Sequence, residues 1–161
     1  SFKDIKDYNF GMGFNPSERF YTRLNYSWGD SIARNVDQPT VGKRKNYSIY
    51  FTYSWTDKFR TQYNYRKNTL TYKDTGEEIF SGYLTSIKGT YQFNKDSFFR
   101  VVREYNDFNN DSYTQALFQW QPNSATIFYF GGTLNQKDIE GTWEREGSQI
   151  YMKLQYLFNF D

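Results

Sequence analysis

The sequence contains no cysteine and no histidine. Disulfides and thiolate metal sites are thereby excluded, as are Ser-His and Cys-His nucleophilic arrangements and imidazole ligands. Proline is scarce, at 3 of 161 residues. No run of about 18 apolar residues occurs, so no helix is predicted to span a bilayer. Charge of one sign is also missing: 20 Lys and Arg against 18 Asp and Glu leave +2, too little to imply a nucleic-acid partner. No secretory leader is visible, although Ser1 need not be the biosynthetic start. Paired acids such as Glu77-Glu78, and Asp107 with Asp111, sit in polar stretches and read as solvated side chains. The segment Asp107-Phe108-Asn109-Asn110-Asp111 lacks the glycine and terminal glutamate of a calcium loop. Gly11-Met12-Gly13 and Gly131-Gly132 are followed by no helix, so they are not phosphate loops. No enzyme, metal or cofactor is expected.

What the chain has in excess is aromatic rings. Tyr, Phe and Trp number 16, 16 and 4, or 22 % of the residues, yet mean hydropathy is −0.91. A soluble core would bring aliphatic residues along with so many rings. Strands with apolar and polar faces in alternation reconcile the two numbers. The final stretch shows that pattern: Ile150, Met152, Leu154, Tyr156, Phe158 and Phe160 alternate with Gln149, Tyr151, Lys153, Gln155, Leu157 and Asn159. A soluble edge strand of this kind is an aggregation hazard, whereas in a barrel wall its apolar face meets lipid.

The same period recurs along the chain and predicts nine strands. Outward sets are Tyr8, Phe10, Met12, Phe14; Phe20, Thr22, Leu24, Tyr26, Trp28; Tyr47, Ile49, Phe51, Tyr53, Trp55; and Phe59, Thr61, Tyr63, Tyr65. Then come Tyr83, Thr85, Ile87, Tyr91, Phe93; Phe99, Val101, Tyr105; and Ala116, Phe118, Trp120. Arg103 falls among the apolar positions of the sixth strand, where a bulge or a snorkelling side chain is needed. The eighth, from Thr126 to about Leu134, is apolar on both sides and its faces are not assigned. Connections alternate between short turns (Asn15 to Glu18, Thr56 to Lys58, Asn94 to Asp96, Gln121 to Ser124) and long polar loops expected at 29–46, 67–81 and 135–147, the second alternatively a hairpin extension through Leu70-Thr71-Tyr72 that turns at Asp74-Thr75-Gly76. Outer-membrane barrels combine tight periplasmic turns with long extracellular loops.

Two sets of candidate site residues follow. Phe14, Phe20, Trp55, Phe59, Phe93, Phe99, Trp120 and Phe160 flank the short turns and are expected to form an aromatic girdle at one membrane interface. Parity sends Asp7, Arg23, Arg60, Arg66, Lys88, Arg100, Glu104 and Lys153 to the opposite, lumen-lining face: six basic against two acidic, a net of +4. Such a wall favours anions in a pore. Alternatively, acidic residues from further strands or a plug pair with these charges. Nine crossings leave the two ends on opposite sides, and an antiparallel barrel closes with an even number. Further strands are therefore expected, from upstream sequence of the same parent protein or from another chain.

From Thr90 onward there is also a resemblance. Thr90-Tyr91-Gln92-Phe93-Asn94, Arg103-Glu104-Tyr105-Asn106, the run from Phe118 to Tyr129, and Met152 to Phe158 resemble the end of a family of Gram-negative outer-membrane proteins. In that family a family-nine-like carbohydrate-binding module precedes a C-terminal β-barrel of uncharacterised function. The resemblance implies a larger parent protein and supplies no catalytic residues. The terminal aromatic Phe160 likewise resembles the signal read by the barrel insertion machinery.

The resulting expectation is an all-β, antiparallel transmembrane β-barrel segment of about nine strands, with 1–161 forming a single outer-membrane domain or the C-terminal portion of one. Its partners would be the lipid bilayer of the outer membrane and the insertion machinery, and its role a porin-like pore, transport or anchoring, linked to carbohydrate binding or uptake through a missing N-terminal part. The alternative is a soluble β-barrel that binds a small hydrophobic ligand. A barrel enzyme with its site in the extracellular loops is the third reading, and the missing histidines speak against it.

Overall fold

A computed structural model describes residues 5–33 and 40–157; Phe158 and the proposed girdle residue Phe160 lie outside them. Nine strands run in chain order: β1 Asp7–Ser17, β2 Phe20–Ala33, β3 Thr40–Ser54, β4 Phe59–Tyr72, β5 Glu78–Asn94, β6 Ser97–Asn106, β7 Asp111–Asn123, β8 Thr126–Ile139 and β9 Thr142–Tyr156. Each pairs antiparallel with its sequence neighbours in one meandering sheet, ordered β1 to β9. Among the described residues β1 and β9 pair with one strand each, so the sheet is open.

The short turns close by side-chain chemistry local to them. The Asn94 Oδ1 accepts from the amide of Asp96 at 2.9 Å and from the Ser97 hydroxyl at 3.1 Å. The Asn123 Oδ1 accepts from the amide of Ala125 at 2.9 Å, and Thr56 Oγ1 from those of Lys58 and Phe59 at 3.2 and 3.0 Å. These side chains mimic a backbone turn, which is why Asn and Thr mark such sites.

The loops expected at 29–46 and 135–147 are mostly strand, which corrects the sequence reading, whereas 67–81 takes the alternative form of a hairpin extension through Leu70-Thr71-Tyr72 with its turn at Asp74-Thr75-Gly76. β2 continues to Ala33, β3 starts at Thr40, β4 runs to Tyr72, and β5 starts at Glu78. The stretch 135–147 is a hairpin whose turn is Glu140-Gly141, both at positive φ. The two sides of the sheet therefore differ chiefly in how far the strands project. Beyond the apolar band both faces are polar, so the period-2 signal fades although the backbone ladder continues.

Almost nothing is buried. Among the described residues, apolar side chains under the surface are limited to Ala33, Leu70 and Leu117. The accessible surface is 11895 Å², against roughly 8,500 Å² for a compact soluble chain of this mass. The register explains the exposure. Across the sheet it aligns Met12, Leu24 and Ile49, and further on Val101, Ala116, Gly132 and Ile150. One face is thus continuously apolar and exposed, with Phe10 at 59 %, Met152 at 72 % and Ile150 at 83 %.

Pairing also settles two strands that sequence alone left ambiguous. Phe128, Phe130 and Gly132 of β8 lie opposite Leu154, Met152 and Ile150, so they share the apolar face. Ile127, Tyr129 and Gly131 face the other way, opposite Gln155, Lys153 and Tyr151. In β6 the ladder is unbroken through Ile87↔Arg103↔Thr114, with no bulge to turn the arginine inward. Arg103 sits on the apolar face, two positions from Tyr105.

Candidate functional site

On the apolar face, rings gather in two rows. The row near the short turns joins Phe20 to Phe51 and Tyr53 (6.3 and 6.2 Å between ring centres), Tyr53 to Trp55 (4.8 Å), Tyr91 to Phe93 (5.1 Å) and Phe93 to Phe118 (6.1 Å). Phe14, Phe59, Phe99 and Trp120 occupy the same face at the same end, through Phe14↔Thr22, Phe59↔Tyr91↔Phe99 and Trp120↔Phe128.

The second row, near the projecting hairpins, was not foreseen. It runs Tyr8–Trp28–Tyr26–Tyr47 with ring centres 5.5, 4.9 and 4.7 Å apart. It resumes as Tyr65–Tyr83–Tyr105–Trp143 at 5.6, 5.6 and 5.8 Å. Tyr83 and Phe93 stand ten positions apart on β5, roughly 33 Å along a strand. At the usual barrel tilt that is roughly 25 Å along the normal, the height of a lipid-facing apolar band. Most of these rings (Tyr8, Tyr26, Trp28, Tyr47, Tyr65, Tyr83 and Tyr105) stood in the outward runs of the sequence, but they align only through the register.

The opposite face is polar. Asp7, Arg23, Arg60, Arg66, Lys88, Arg100, Glu104 and Lys153 all lie on it, through pairs such as Arg23↔Tyr50, Arg60↔Thr90↔Arg100 and Lys153↔Tyr129. Arg66 and Glu104 line a cleft of about 470 Å³ with Asn64, Ser86, Asp111 and Tyr113. Lys88, Arg100 and Glu104 line an adjoining one of about 340 Å³ with Gln62 and Gln115. Arg23, Arg60 and Lys153 line neither.

Asp7 has a partner that the sequence reading missed. Arg44 Nη2 lies 2.7 Å from its Oδ2, reaching across β2 at Gly29. A side chain at Gly29 is impossible there, because its Cβ would stand 2.2 Å from the Lys6 carbonyl oxygen and 2.7 Å from the Asp7 Cα. Tyr151 uses the same device: its ring lies over Gly131, and its hydroxyl accepts from Gln115 Nε2 at 3.2 Å. The amide of Gln62 donates to the Tyr50 hydroxyl at 2.9 Å. Arg44 was missed because 29–46 was expected to be loop, although Arg44, Asn46 and Ser48 continue the inward parity of Tyr50. Among the described residues, no ion pair forms at the six basic candidates or at Glu104.

A further cleft of about 470 Å³ opens at the hairpin end of the polar face, lined by Ala33, Leu70, Ile79 and Phe80 beside Arg44, Asn46 and Asn68. Among the described residues, no group of three or more Asp and Glu side chains is placed to hold a metal ion, the Asp107 to Asp111 turn included.

No family model matches the sequence, and no curated protein matches it. In fold, the chain is similar to a solved structure, the CymD monoaromatic hydrocarbon channel, with a TM-score of 0.51 and 13 % identity. The match covers 94 % of this chain and 51 % of that one, so the chain spans about half the channel's length. At that identity the likeness is one of fold. Nine antiparallel strands in one open sheet match part of an outer-membrane channel barrel.

Proposed function

We propose that this chain forms one wall of an outer-membrane barrel with a transport role, its apolar face against lipid and its polar face toward a water-filled interior. The observation that carries the reading is the exposed apolar band, continuous across nine strands and bounded by two aromatic rows. In water such a surface would aggregate, and in a bilayer it is the lowest-energy arrangement. Phe14, Phe20, Trp55, Phe59, Phe93, Phe99, Trp120 and Phe160 would serve as one girdle. A soluble barrel binding a hydrophobic ligand would bury its apolar face inside, and that alternative is not favoured. Residues 1–161 form a single barrel domain or part of one, inserted by the barrel assembly machinery and completed by strands from the same parent protein or another chain. Open edges in lipid cost several kcal/mol per unsatisfied backbone group, so β1 and β9 need such partners.

In this reading Arg23, Arg60, Arg66, Lys88, Arg100 and Lys153, with Glu104, line the lumen, and the completed pore favours anions. The finer tie to carbohydrate uptake rests on the resemblance from Thr90 to Phe160. Uptake of labelled oligosaccharide by cells with and without the protein tests that part. The test of the whole is reconstitution of the complete barrel. Stepwise conductance in planar bilayers, with a reversal potential on the anion side, is the expected result. A folded, monodisperse protein in detergent-free buffer would remove the membrane reading.

A further inference from the structure

The apolar face carries a local cluster of cations at one boundary, on β3 and β4. At the short-turn end the turns hold Glu18, Arg19, Asp57, Lys58, Lys95 and Asp96, three acids against three bases. Arg19 and Asp57 approach to 3.6 Å. At the hairpin end Lys45, opposite Trp28, and Lys67, between Tyr47 and Tyr83, stand within the second aromatic row on the outward face of β3 and β4, and Lys43 stands one outward position beyond it. They share that face through Lys43↔Thr71, Lys45↔Thr69 and Tyr47↔Lys67. Lys45 and Lys67 are diagonal neighbours, which places their Cβ atoms within roughly 8 Å.

Two acids share that face beside Lys43, Asp30 opposite it and Glu78 opposite Thr71. Asp30, opposite Lys43, is held by Lys73 at 3.2 Å. Among the described residues Lys43, Lys45 and Lys67 have no ion pair. Lys67 lies between Tyr47 and Tyr83 on the ladder, a position from which a snorkelling ammonium can reach the boundary. Hydroxyl donors adjoin the cluster: Thr69 and Ser81 meet at 3.3 Å on the same face. Three cations with hydroxyl donors, on a lipid-facing surface at headgroup depth, complement a phosphorylated headgroup.

Resting on the membrane reading above, we propose that this β3–β4 patch binds the phosphates of a glycolipid in the leaflet on the hairpin side. Short turns mark the periplasmic side of such barrels and projecting hairpins the outside, so the occupant is the bisphosphorylated glucosamine lipid of the outer leaflet.

The test uses the complete barrel in neutral phosphatidylcholine vesicles, with fluorescent bisphosphorylated lipid A, its dephosphorylated form and phosphatidylglycerol as competing probes. Each lysine beside an anionic surface contributes a factor of about five. Lys43→Gln, Lys45→Gln and Lys67→Gln together should weaken lipid A retention by roughly 100-fold at low salt. Lys45→Gln alone should weaken it about fivefold. Lys58→Gln with Lys95→Gln, at the other boundary, should leave it unchanged. Equal retention of phosphorylated and dephosphorylated lipid, or wild-type preference in the triple variant, overturns the proposal. Equal retention of phosphatidylglycerol overturns the glycolipid as occupant. Normal flotation without any lipid preference overturns this inference alone, whereas failure to float with vesicles of any composition overturns the membrane reading and this inference with it.

Discussion

Replacing Leu24 by arginine sets a charge at the middle of the apolar band. Leu24 stands four positions from Phe20 and four from Trp28 on β2, which belong to the two aromatic rows. At about 3.3 Å per residue and the usual tilt, each boundary is roughly 10 Å away along the normal. That is too deep for an arginine to snorkel comfortably to either side. Leu24 is flanked by Met12 and Ile49, neither able to pair with a cation. It is also 37 % exposed, so the substitution removes little protein packing. The expected cost is about 2–4 kcal/mol of folding in bilayers. Asn25→Arg, one residue on but facing the polar side, loses the 3.2 Å bond from Asn25 Nδ2 to Ser48 Oγ, worth about 1 kcal/mol. Leu154→Arg is the depth control. Leu154 lies opposite Phe128 and two positions from Tyr156, close to the short-turn boundary, so it should cost about 0–1 kcal/mol. Urea unfolding of the complete barrel in vesicles, followed by tryptophan fluorescence, gives all three differences. If Asn25→Arg costs more than Leu24→Arg, the faces are assigned the wrong way round. If Leu154→Arg costs as much as Leu24→Arg, depth is not what sets the penalty.

The same assay reads three other changes. Arg103→Leu removes a charge from the apolar face near Tyr105 and should stabilise by about 1–3 kcal/mol; a loss of stability would mean that the guanidinium has a partner. Gly131→Ala brings a methyl to 2.6 Å from the Ala116 carbonyl oxygen and 2.8 Å from the Tyr151 hydroxyl, and should cost about 1–3 kcal/mol. Gly89→Ala meets only a Phe59 ring carbon at 3.7 Å and should be neutral or stabilising by about 0.5–1 kcal/mol; equal effects of the two would remove the packing argument. A double-mutant cycle on Asp7→Ala and Arg44→Ala should yield a coupling below about 1 kcal/mol, because both side chains are partly exposed. A larger value would mean that the pair is screened from water by further structure.

The sequence by itself determined which side chains share a face. That information is local, since successive Cβ atoms on a strand point oppositely whatever the strand pairs with. It therefore sorted Tyr8, Phe10 and Met12 from Asp7 and Asn9, and Ile87 from Lys88, without reference to any neighbour. The short turns were legible for a similar reason, because Thr56, Asn94 and Asn123 satisfy amides only two or three residues away. Register was decided only by the tertiary structure, because it depends on which residue lies opposite on another strand. It aligned Tyr65, Tyr83 and Tyr105 into a second aromatic row, placed Leu154 opposite Phe128 near a boundary, and gave β8 its two sides. It also brought Arg44 over Gly29 to Asp7, a contact between residues 37 positions apart. The lengths of β2, β3, β8 and β9 belong to the same category. Beyond the apolar band both faces of a hairpin are polar, so its sequence carries no alternation, and only the backbone ladder distinguishes it from a loop.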